Sequence, residues 1–246
     1  MLAVENLELV REKCAILQIE NFVLKRGKTQ AVIGPNGAGK STFLKVLALL
    51  EQPTRGSIFF NGVEVNKTNM LTFRRRMAVV FQEPLLLNTT VFNNVALGLK
   101  LRGIRGDKLT QRVEQWLERL NISGLRDRKP VYLSGGEAQR VSLARAFALE
   151  PEVVFLDEPF SALDFPTRTN LLEDLGQLLG NSGVTAVFVT HDFNEIPYLT
   201  NDVVVIDRGK VVFNGLLKKL LENDVQNETV QHLLSPFKKF NQIRLF

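Results

Sequence analysis

A glycine-rich stretch that runs into a lysine and two hydroxyl residues is the part of this sequence best suited to chemistry. It fits the pattern G-x-x-x-x-G-K-[ST] of a phosphate-binding P-loop and comprises Gly34, Pro35, Asn36, Gly37, Ala38, Gly39, Lys40, Ser41 and Thr42. Glycine lets such a loop curl, so that successive backbone N–H groups turn toward a phosphate. Lys40 would add a charge near the β- and γ-phosphates of a nucleotide, and the Ser41 hydroxyl would bind Mg²⁺.

Both flanks of this loop have the character that the motif requires. Residues 30–33 are apolar enough for a buried strand, and four apolar residues after the loop recur at the spacing of one helix face: Phe43, Val46, Leu47 and Leu50. A helix that starts at the loop adds partial positive charge facing the phosphates. The alternative is a glycine-rich turn before an ordinary helix, which leaves the lysine and serine unexplained.

Two acids follow a second apolar run. Residues 153–156 are typical of a buried strand, and Asp157 and Glu158 come directly after it. Carboxylates at the carboxyl end of a parallel strand lie where ligands bind in open α/β sheets. Asp157 is placed to hold Mg²⁺, directly or through water, and Glu158 to accept a proton from an attacking water. Alone they could be two solvated acids at a strand end, but after a P-loop they favour a nucleoside triphosphatase.

A second candidate anion site lies in residues 133–140. Ser134 is a good N-cap for a helix, and Glu137 three residues later completes a capping box. Gly135 and Gly136 leave backbone N–H groups bare at this helix start. We call such a group of bare backbone N–H groups an anion cradle. One phosphate needs only one cradle, so a second one implies that the γ-phosphate is bound from two sides.

The composition indicates a globular chain and excludes few functions. Of its 246 residues, 45% are hydrophobic and 23% are charged. The net charge of +5 is spread along the chain, which favours a solvated surface, and the run Arg74–Arg76 is expected to be an exposed helix face. Cys14 is the single cysteine, so no internal disulfide forms, and we expect it to pack inside. No secretory signal or membrane-spanning apolar run is visible, so another chain would have to do any spanning.

The order of predicted elements indicates an α/β fold with a helical insertion. Strands are expected over residues 4–10, 16–24, 30–33, 57–60, 78–81, 153–156, 185–189, 203–206 and 210–213. Between residues 85 and 148, Thr90 can cap a helix through Leu99, and a second helix carries the apolar stripe Leu109, Val113, Trp116, Leu117 and Leu120. Helices around residues 167–179 and 193–199 separate the later strands, which favours a parallel sheet covered on both faces.

With these stretches in view, the chain resembles the nucleotide-binding subunit of an ABC transporter from about residue 4 to residue 214. The P-loop matches the family's Walker A motif, residues 153–158 match Walker B and residues 133–139 match the signature motif. Residues 161–164 match the D-loop, Gln82 the Q-loop glutamine and His191 the switch histidine. The matches occur in the family's order, so chance agreement is negligible. A P-loop kinase or GTPase would leave residues 133–139 without a purpose.

The resemblance implies an α/β P-loop NTPase fold. Its parts would be a RecA-like, mostly parallel sheet core, an antiparallel β subdomain and an inserted α-helical subdomain. A single domain over residues 1–246 would then comprise a catalytic lobe (1–84 and 149–215), the helical subdomain (85–148) and a short tail (216–246). That tail is too short for the β-rich regulatory domain of many importer ATPases, and we expect its His232 to be structural.

The resemblance also implies ATP and Mg²⁺ as cofactors and a homodimer that encloses two ATP molecules. Each ATP would lie between the P-loop of one chain and Ser134, Gly135, Gly136 and Glu137 of the other. Where the family stacks an aromatic residue on adenine, residues 9–13 have none, so Arg11 or Val10 would contact the purine instead.

Each remaining motif residue takes a role from the family. Glu158 would polarise the attacking water, and His191 would bind the γ-phosphate and hold the catalytic geometry beside Lys40. Gln82 would sense Mg²⁺ or water and link the sheet to the helical block, and it would join Ser41 and Asp157 at the metal.

The absence of a visible spanning segment favours an importer ATPase at the cytoplasmic face of the membrane. It would bind a separate integral membrane permease and serve an extracytoplasmic substrate-binding protein indirectly. Residues 133–146 and 157–168 resemble subunits for tungstate, molybdate or related oxyanions. The alternative is a soluble ABC-type ATPase acting on nucleic acid or ribosomes. No tandem cassette, long coiled-coil insertion or aromatic residues among the basic ones support it, so no nucleic-acid partner is expected.

Overall fold

The larger of two β-sheets positions the P-loop and the two acids. In the computed structural model, which describes residues 1–222, 230, 231 and 234, this sheet has the strand order β10-β9-β3-β8-β7-β6. Its strands are β3 (Thr29–Ile33), β6 (Met77–Val80), β7 (Val153–Asp157), β8 (Thr185–Val189), β9 (Asp202–Asp207) and β10 (Lys210–Leu216). Neighbours are parallel except β10 with β9. Every residue of β7 and β8 is buried, as parallel strands covered on both faces require.

The smaller sheet is antiparallel and has the strand order β2-β1-β4-β5. Its strands are β1 (Leu2–Arg11), β2 (Cys14–Leu24), β4 (Arg55–Phe60) and β5 (Val63–Glu64). The hairpin turn between β4 and β5 is at Asn61 and Gly62, whose φ angles of +51° and +78° suit a tight turn. Cys14 is exposed at the start of β2, so the expectation that it packs inside was wrong.

The helices pack against alternate residues of the central strands, which face two separate apolar cores. They are α1 (Lys40–Leu47), α2 (Met70–Arg74), α3 (Val91–Leu101), α4 (Gly106–Arg119), α5 (Gly135–Phe147), α6 (Phe165–Ser182), α7 (Ile196–Leu199) and α8 (Leu217–Glu222). The predicted apolar stripe of α4 is buried throughout. Trp116 stacks on Phe147 with ring centroids 5.5 Å apart, which confirms its role in the core.

The segment from residue 85 to residue 148 contains α3, α4 and α5 and no strand. It leaves the sheet after β6 and returns before β7, the neighbouring strand. Although β6 is one of the two outermost strands of the larger sheet, three of its four residues are buried, and Ala78 and Val80 lie in the core that includes α5. At one outer edge of the smaller sheet, β5 is only two residues long and exposed, while the other edge is the 11-residue strand β2.

Two local expectations differ from the structure. Helix α1 ends at Leu47 because Leu49 takes a φ of +59°, and Leu50 is 45% exposed rather than on the buried face. The basic run is only partly an exposed helix face, because Arg76 pairs with Glu152 and lies over a phenylalanine ring. Helix α8 lies in the predicted tail, while His232 falls outside the described residues.

A buried amide fixes the loop that connects β6 to α3. Asn94 is fully buried, and its Oδ1 accepts a hydrogen bond from the Leu87 N–H at 2.8 Å. Its Nδ2 donates to the carbonyl oxygens of Leu87 and Thr90, each at 3.0 Å. Thr90 is the N-cap of α3, as predicted, and its hydroxyl accepts from the N–H of Asn93. Leu87, in the loop that follows Gln82, is therefore held against the first turn of α3.

Replacing Asn94 by Leu should destabilise the chain more than the same change at the adjacent Asn93. Asn94→Leu loses two hydrogen bonds to Leu87 and one to the Thr90 carbonyl, each contributing about 1 kcal/mol, so the free energy of unfolding should fall by about 3 kcal/mol. Asn93 is half-buried and makes only peripheral contacts with Thr89 and Lys100, so Asn93→Leu should cost less than about 1 kcal/mol. Urea unfolding of both variants tests this. Equal losses would contradict it.

Candidate nucleotide-binding site

The P-loop joins β3 to α1 as the sequence predicts, and its first glycine is required by a close approach. Gly34 has a φ of +154°, and a Cβ at this position would lie 2.0 Å from the carbonyl oxygen of Ile206 at the end of β9. Gly39, with a φ of +100°, is the N-cap of α1. The two glycines let the loop pass close to neighbouring strands and lead into the start of α1, where backbone N–H groups can bind an anion.

Lys40 is folded back onto the loop and is only 5% exposed. Its Nζ donates hydrogen bonds to the carbonyl oxygens of Gly34 at 2.9 Å and Pro35 at 3.1 Å. Burial lowers the pKa of Lys40, while the nearby carboxylates of Glu158 and Asp157 raise it. The ammonium is thus held beside the loop, where phosphate oxygens can replace the two carbonyl groups.

Ser41 and Asp157 form an oxygen-rich pair next to this lysine. The Ser41 hydroxyl donates to Asp157 Oδ1 at 2.8 Å, and Asp157 is 8% exposed. Burial raises the pKa of Asp157 most strongly, and the hydrogen bond from Ser41 opposes this shift. A hydroxyl and a carboxylate are the hard oxygen ligands that Mg²⁺ prefers, so these two residues fit a magnesium ion.

Gln82, the third predicted metal-binding residue, stands apart from this pair. It follows β6 by two residues and is exposed. No hydrogen bond in the described part of the chain joins its side chain to Ser41 or Asp157. Its place near the carboxyl end of β6 is compatible with a contact to a bound ligand, but its predicted role stays a prediction.

Glu158 and His191 meet across the neighbouring strands β7 and β8. Nδ1 of His191 lies 2.9 Å from Oε2 of Glu158, and the exposed fractions of the two side chains are 55% and 17%. The N–H of Glu158 donates to the Val189 carbonyl at 3.0 Å, and the Ser161 hydroxyl donates to the Glu158 carbonyl at 3.1 Å. Glu158 also has a φ of +45°, which is uncommon for a residue with a side chain. The backbone is therefore fixed in a conformation that aims Glu158 at His191.

The second predicted cradle forms at the start of α5. The N–H of Glu137 donates to the Ser134 hydroxyl at 3.2 Å, and the N–H of Ser134 donates to Glu137 Oε2 at 2.7 Å, which confirms the capping box. This second bond is the main reason that the pKa of Glu137 is lowered. Ser134 and Gly135 are exposed, while Gly136 is buried. None of these residues hydrogen-bonds to the P-loop within the described chain, so the two cradles are separate surfaces of one chain.

The region expected to contact a purine gives no aromatic surface. Arg11 forms an ion pair with Glu51, and its side chain is 57% exposed. The N–H of Val10 donates to the Thr54 hydroxyl at 2.9 Å. Arg11 is therefore engaged with a carboxylate in this structure, and the purine contact by Arg11 or Val10 stays a prediction.

The structure adds side chains that the sequence reasoning did not single out. The Thr190 hydroxyl donates to Glu195 at 2.6 Å, and Arg168 donates to Asp192 at 3.2 Å, so both residues next to His191 are fixed. Glu195 is only 4% exposed, and burial raises its pKa. In sequence this acid belongs to a short polar stretch, where a buried carboxylate has the same appearance as a solvated one.

A family model described as ABC transporter matches residues 17–161. The chain belongs to the ABC transporter family. Over 204 residues it is 43% identical to the sulfate/thiosulfate import ATP-binding protein CysA of Synechococcus elongatus, a match covering 82% of this chain and 59% of CysA. Over 220 residues it is 36% identical to the Fe(3+) ions import ATP-binding protein FbpC 1 of Haemophilus influenzae, covering 89% of this chain and 66% of that protein.

The methionine import ATP-binding protein MetN of Haemophilus influenzae (strain 86-028NP) is 35% identical over 234 residues, covering 94% of this chain and 68% of MetN. The chain thus spans 59% to 68% of the length of these three curated relatives. None of the three is named for tungstate or molybdate, so the narrower expectation from the sequence finds no support in their names.

Solved ABC proteins have the same fold. The ATP-binding cassette MJ0796, in a dimeric post-hydrolysis state bound to ADP and Pi, superposes with a TM-score of 0.80 at 29% identity, over 88% of this chain and 99% of that one. CbiO1 from Clostridium perfringens, part of the transporter complex cbiONQ, superposes with a TM-score of 0.84 at 27% identity, over 100% of this chain and 98% of that one. The predicted ABC ATPase fold is therefore confirmed.

Replacing Asp157 by Asn should stabilise the ligand-free chain at neutral pH. The amide oxygen can still accept the hydrogen bond from Ser41, while the penalty for burying a charge disappears. We expect the Tm at neutral pH to rise by about 2–4 °C, which corresponds to about 1 kcal/mol in a chain of this size. Since a raised carboxyl pKa destabilises the fold only where the group ionises, the gain should vanish below about pH 4.

Thermal unfolding across this pH range measures the effect of Asp157→Asn. The matched control is Glu173→Gln, which removes the same charge from an exposed position on α6 and should leave the Tm nearly unchanged. A lower Tm for Asp157→Asn at neutral pH would contradict the cost assigned to the buried carboxylate.

Proposed function

We propose that this chain is the ATP-binding and ATP-hydrolysing subunit of an ABC importer, with ATP and Mg²⁺ as cofactors. The grouping of five side chains at the carboxyl edge of the larger sheet carries this proposal: Lys40, Ser41, Asp157, Glu158 and His191. The names of the three curated relatives, all import ATP-binding proteins, support it.

Each of these residues has a task that follows from its contacts. Lys40 and the loop N–H groups would neutralise phosphate oxygens, because they lie together at the start of α1. Ser41 and Asp157 would hold Mg²⁺, and when bound this ion supplies positive charge that stabilises the transferring phosphoryl group. Glu158 would accept a proton from the attacking water, and His191 would hold that carboxylate in place from 2.9 Å.

The separation of the two cradles supports a homodimer as the working unit. The capped start of α5 presents bare N–H groups, yet it contacts α6 rather than the P-loop of its own chain. A second copy of the chain would bring its α5 start to the γ-phosphate held by Lys40 and Ser41. The solved cassette MJ0796, which is described as dimeric, supports this arrangement.

We place the dimer at the cytoplasmic face of the membrane, bound to a separate permease and served indirectly by an extracytoplasmic binding protein. The helices in the described part of the chain are each too short or too polar to cross a bilayer. The relatives are named for sulfate/thiosulfate, Fe(3+) and methionine, so their names favour import without favouring tungstate or molybdate as cargo. Action on nucleic acid or ribosomes is the second candidate, and no residue of the described site favours it.

Glu158→Gln should lower ATP turnover by at least about 100-fold while ATP binding is retained, because a glutamine cannot accept the proton. The same variant should accumulate as an ATP-bound dimer, detectable by size-exclusion chromatography. Turnover is measured as phosphate release at saturating ATP.

Glu152→Gln is the matched control for this variant. Glu152 and Glu158 flank the same strand, but Glu152 lies at its opposite end, paired with Arg76 and Arg26. Its replacement should leave turnover unchanged. Turnover at the wild-type rate in Glu158→Gln would exclude Glu158 as the base.

Affinity purification from solubilised membranes tests the assignment to an importer. We expect the tagged chain to recover a polytopic membrane protein in a stable complex, identified by mass spectrometry. Recovery of ribosomal RNA and ribosomal proteins without such a partner would favour the second candidate instead.

A further inference from the structure

Arg168 lies in the first turn of α6 and reaches two loops of the site at once. Its Nη2 donates to the carbonyl oxygen of Leu163 at 3.1 Å, within the loop that follows Glu158. Its Nη1 donates to Asp192 Oδ2 at 3.2 Å and lies 3.9 Å from Glu195 Oε1. One guanidinium thus connects the loop after β7 with the loop after β8, and these loops carry Glu158 and His191.

The guanidinium of Arg168 is held in a position that does not satisfy all of its donors. Its Nε is the single buried side-chain nitrogen or oxygen without a hydrogen-bond partner among the described residues. An unpaired buried donor costs free energy, and natural structures keep few of them. The arrangement is therefore better explained by what the two Nη groups hold than by the stability of α6 alone.

The contacts of Arg168 fix the backbone on both sides of His191. Asp192 follows the histidine directly, and its N–H donates to the Thr190 hydroxyl at 3.0 Å. Thr190 precedes the histidine, and its hydroxyl donates to the buried Glu195 at 2.6 Å. Because Arg168 faces both acids, it closes a ring of polar contacts around a histidine whose own side chain is 55% exposed.

The same turn of α6 packs against the second anion cradle. A Cβ at Gly136 would lie 2.4 Å from Cγ2 of Thr167, so these two residues already touch and leave no room for a side chain. A Cβ at Gly135 would lie 3.6 Å from Cδ2 of Leu163, whose carbonyl Arg168 binds. The start of α5 therefore rests on the segment that Arg168 fixes.

We propose that Arg168 is a positioning residue, which holds the His191 loop in register with the cradle at the start of α5. This inference rests on the proposed function. In a dimer, the His191 loop serves the nucleotide of its own chain, while the α5 cradle serves the nucleotide of the partner. Arg168 thereby links the two nucleotide sites through one chain.

Arg168→Met keeps an unbranched side chain of similar length and removes both hydrogen-bonded contacts. We expect its kcat for ATP to fall by about 10- to 100-fold, the scale on which misplaced catalytic groups lose rate, with KM within about twofold of wild type. Arg168→Lys retains the positive charge but cannot donate to both loops through two separate nitrogens. Its kcat should therefore lie between those of the wild type and Arg168→Met.

Arg76→Met is the matched control, since Arg76 is also a partly exposed, ion-paired arginine. It pairs with Glu152 beyond the opposite end of β7. Its variant should keep the wild-type kcat and KM, even if its Tm falls as far as that of Arg168→Met.

A double-mutant cycle with His191→Ala separates positioning from a general structural effect. Single-turnover rates with excess enzyme should show that Arg168→Met costs nothing further once His191 is absent. An unchanged kcat in Arg168→Met, or the same loss repeated in the His191→Ala background, would overturn the inference. A wild-type chain that does not turn over ATP would instead overturn the proposed function on which it rests.

Discussion

The site depends on keeping an ammonium and a carboxylate almost out of water at one edge of a parallel sheet. Lys40 and Asp157 are 5% and 8% exposed. Burial lowers the pKa of Lys40 and raises the pKa of Asp157, so in both cases it favours the neutral form. Two loop carbonyls and one serine hydroxyl offset part of that cost without satisfying either charge fully. In the function proposed here, the oxygens of a triphosphate and its metal would add further partners for both charges.

Strand order brings distant sequence positions together in the proposed catalytic site. Lys40 follows β3 and Glu158 follows β7, while His191 follows β8, which lies between those two strands. The carboxyl ends of parallel strands share one edge, so these residues converge although more than a hundred positions separate the first from the other two. Backbone hydrogen bonds, such as that from the Glu158 N–H to the Val189 carbonyl, then fix the ends of β7 and β8 side by side. The side chains of Glu158 and His191 therefore lie within hydrogen-bond distance of each other.

Much of this arrangement is readable in the sequence, because continuous apolar runs and glycine motifs have local physical causes. The buried strands, the capping box at Ser134 and the cap at Thr90 follow from such signals and are present. The end of α1 was not predictable, since Leu50 fits the apolar spacing and only the left-handed turn at Leu49 excludes it. Nor was the Arg168 network, because its partners come from loops that the fold alone brings together.

The way both sheets terminate bears on how the protein behaves when crowded. An outermost strand with free N–H and C=O groups can recruit a strand from another molecule and start aggregation. Among the four outermost strands, β6 packs against α5, and β5 has only two residues and so offers a short template. At these two of the four sheet edges, the fold therefore disfavours pairing with a strand of another molecule, and at β6 the helical segment contributes to this.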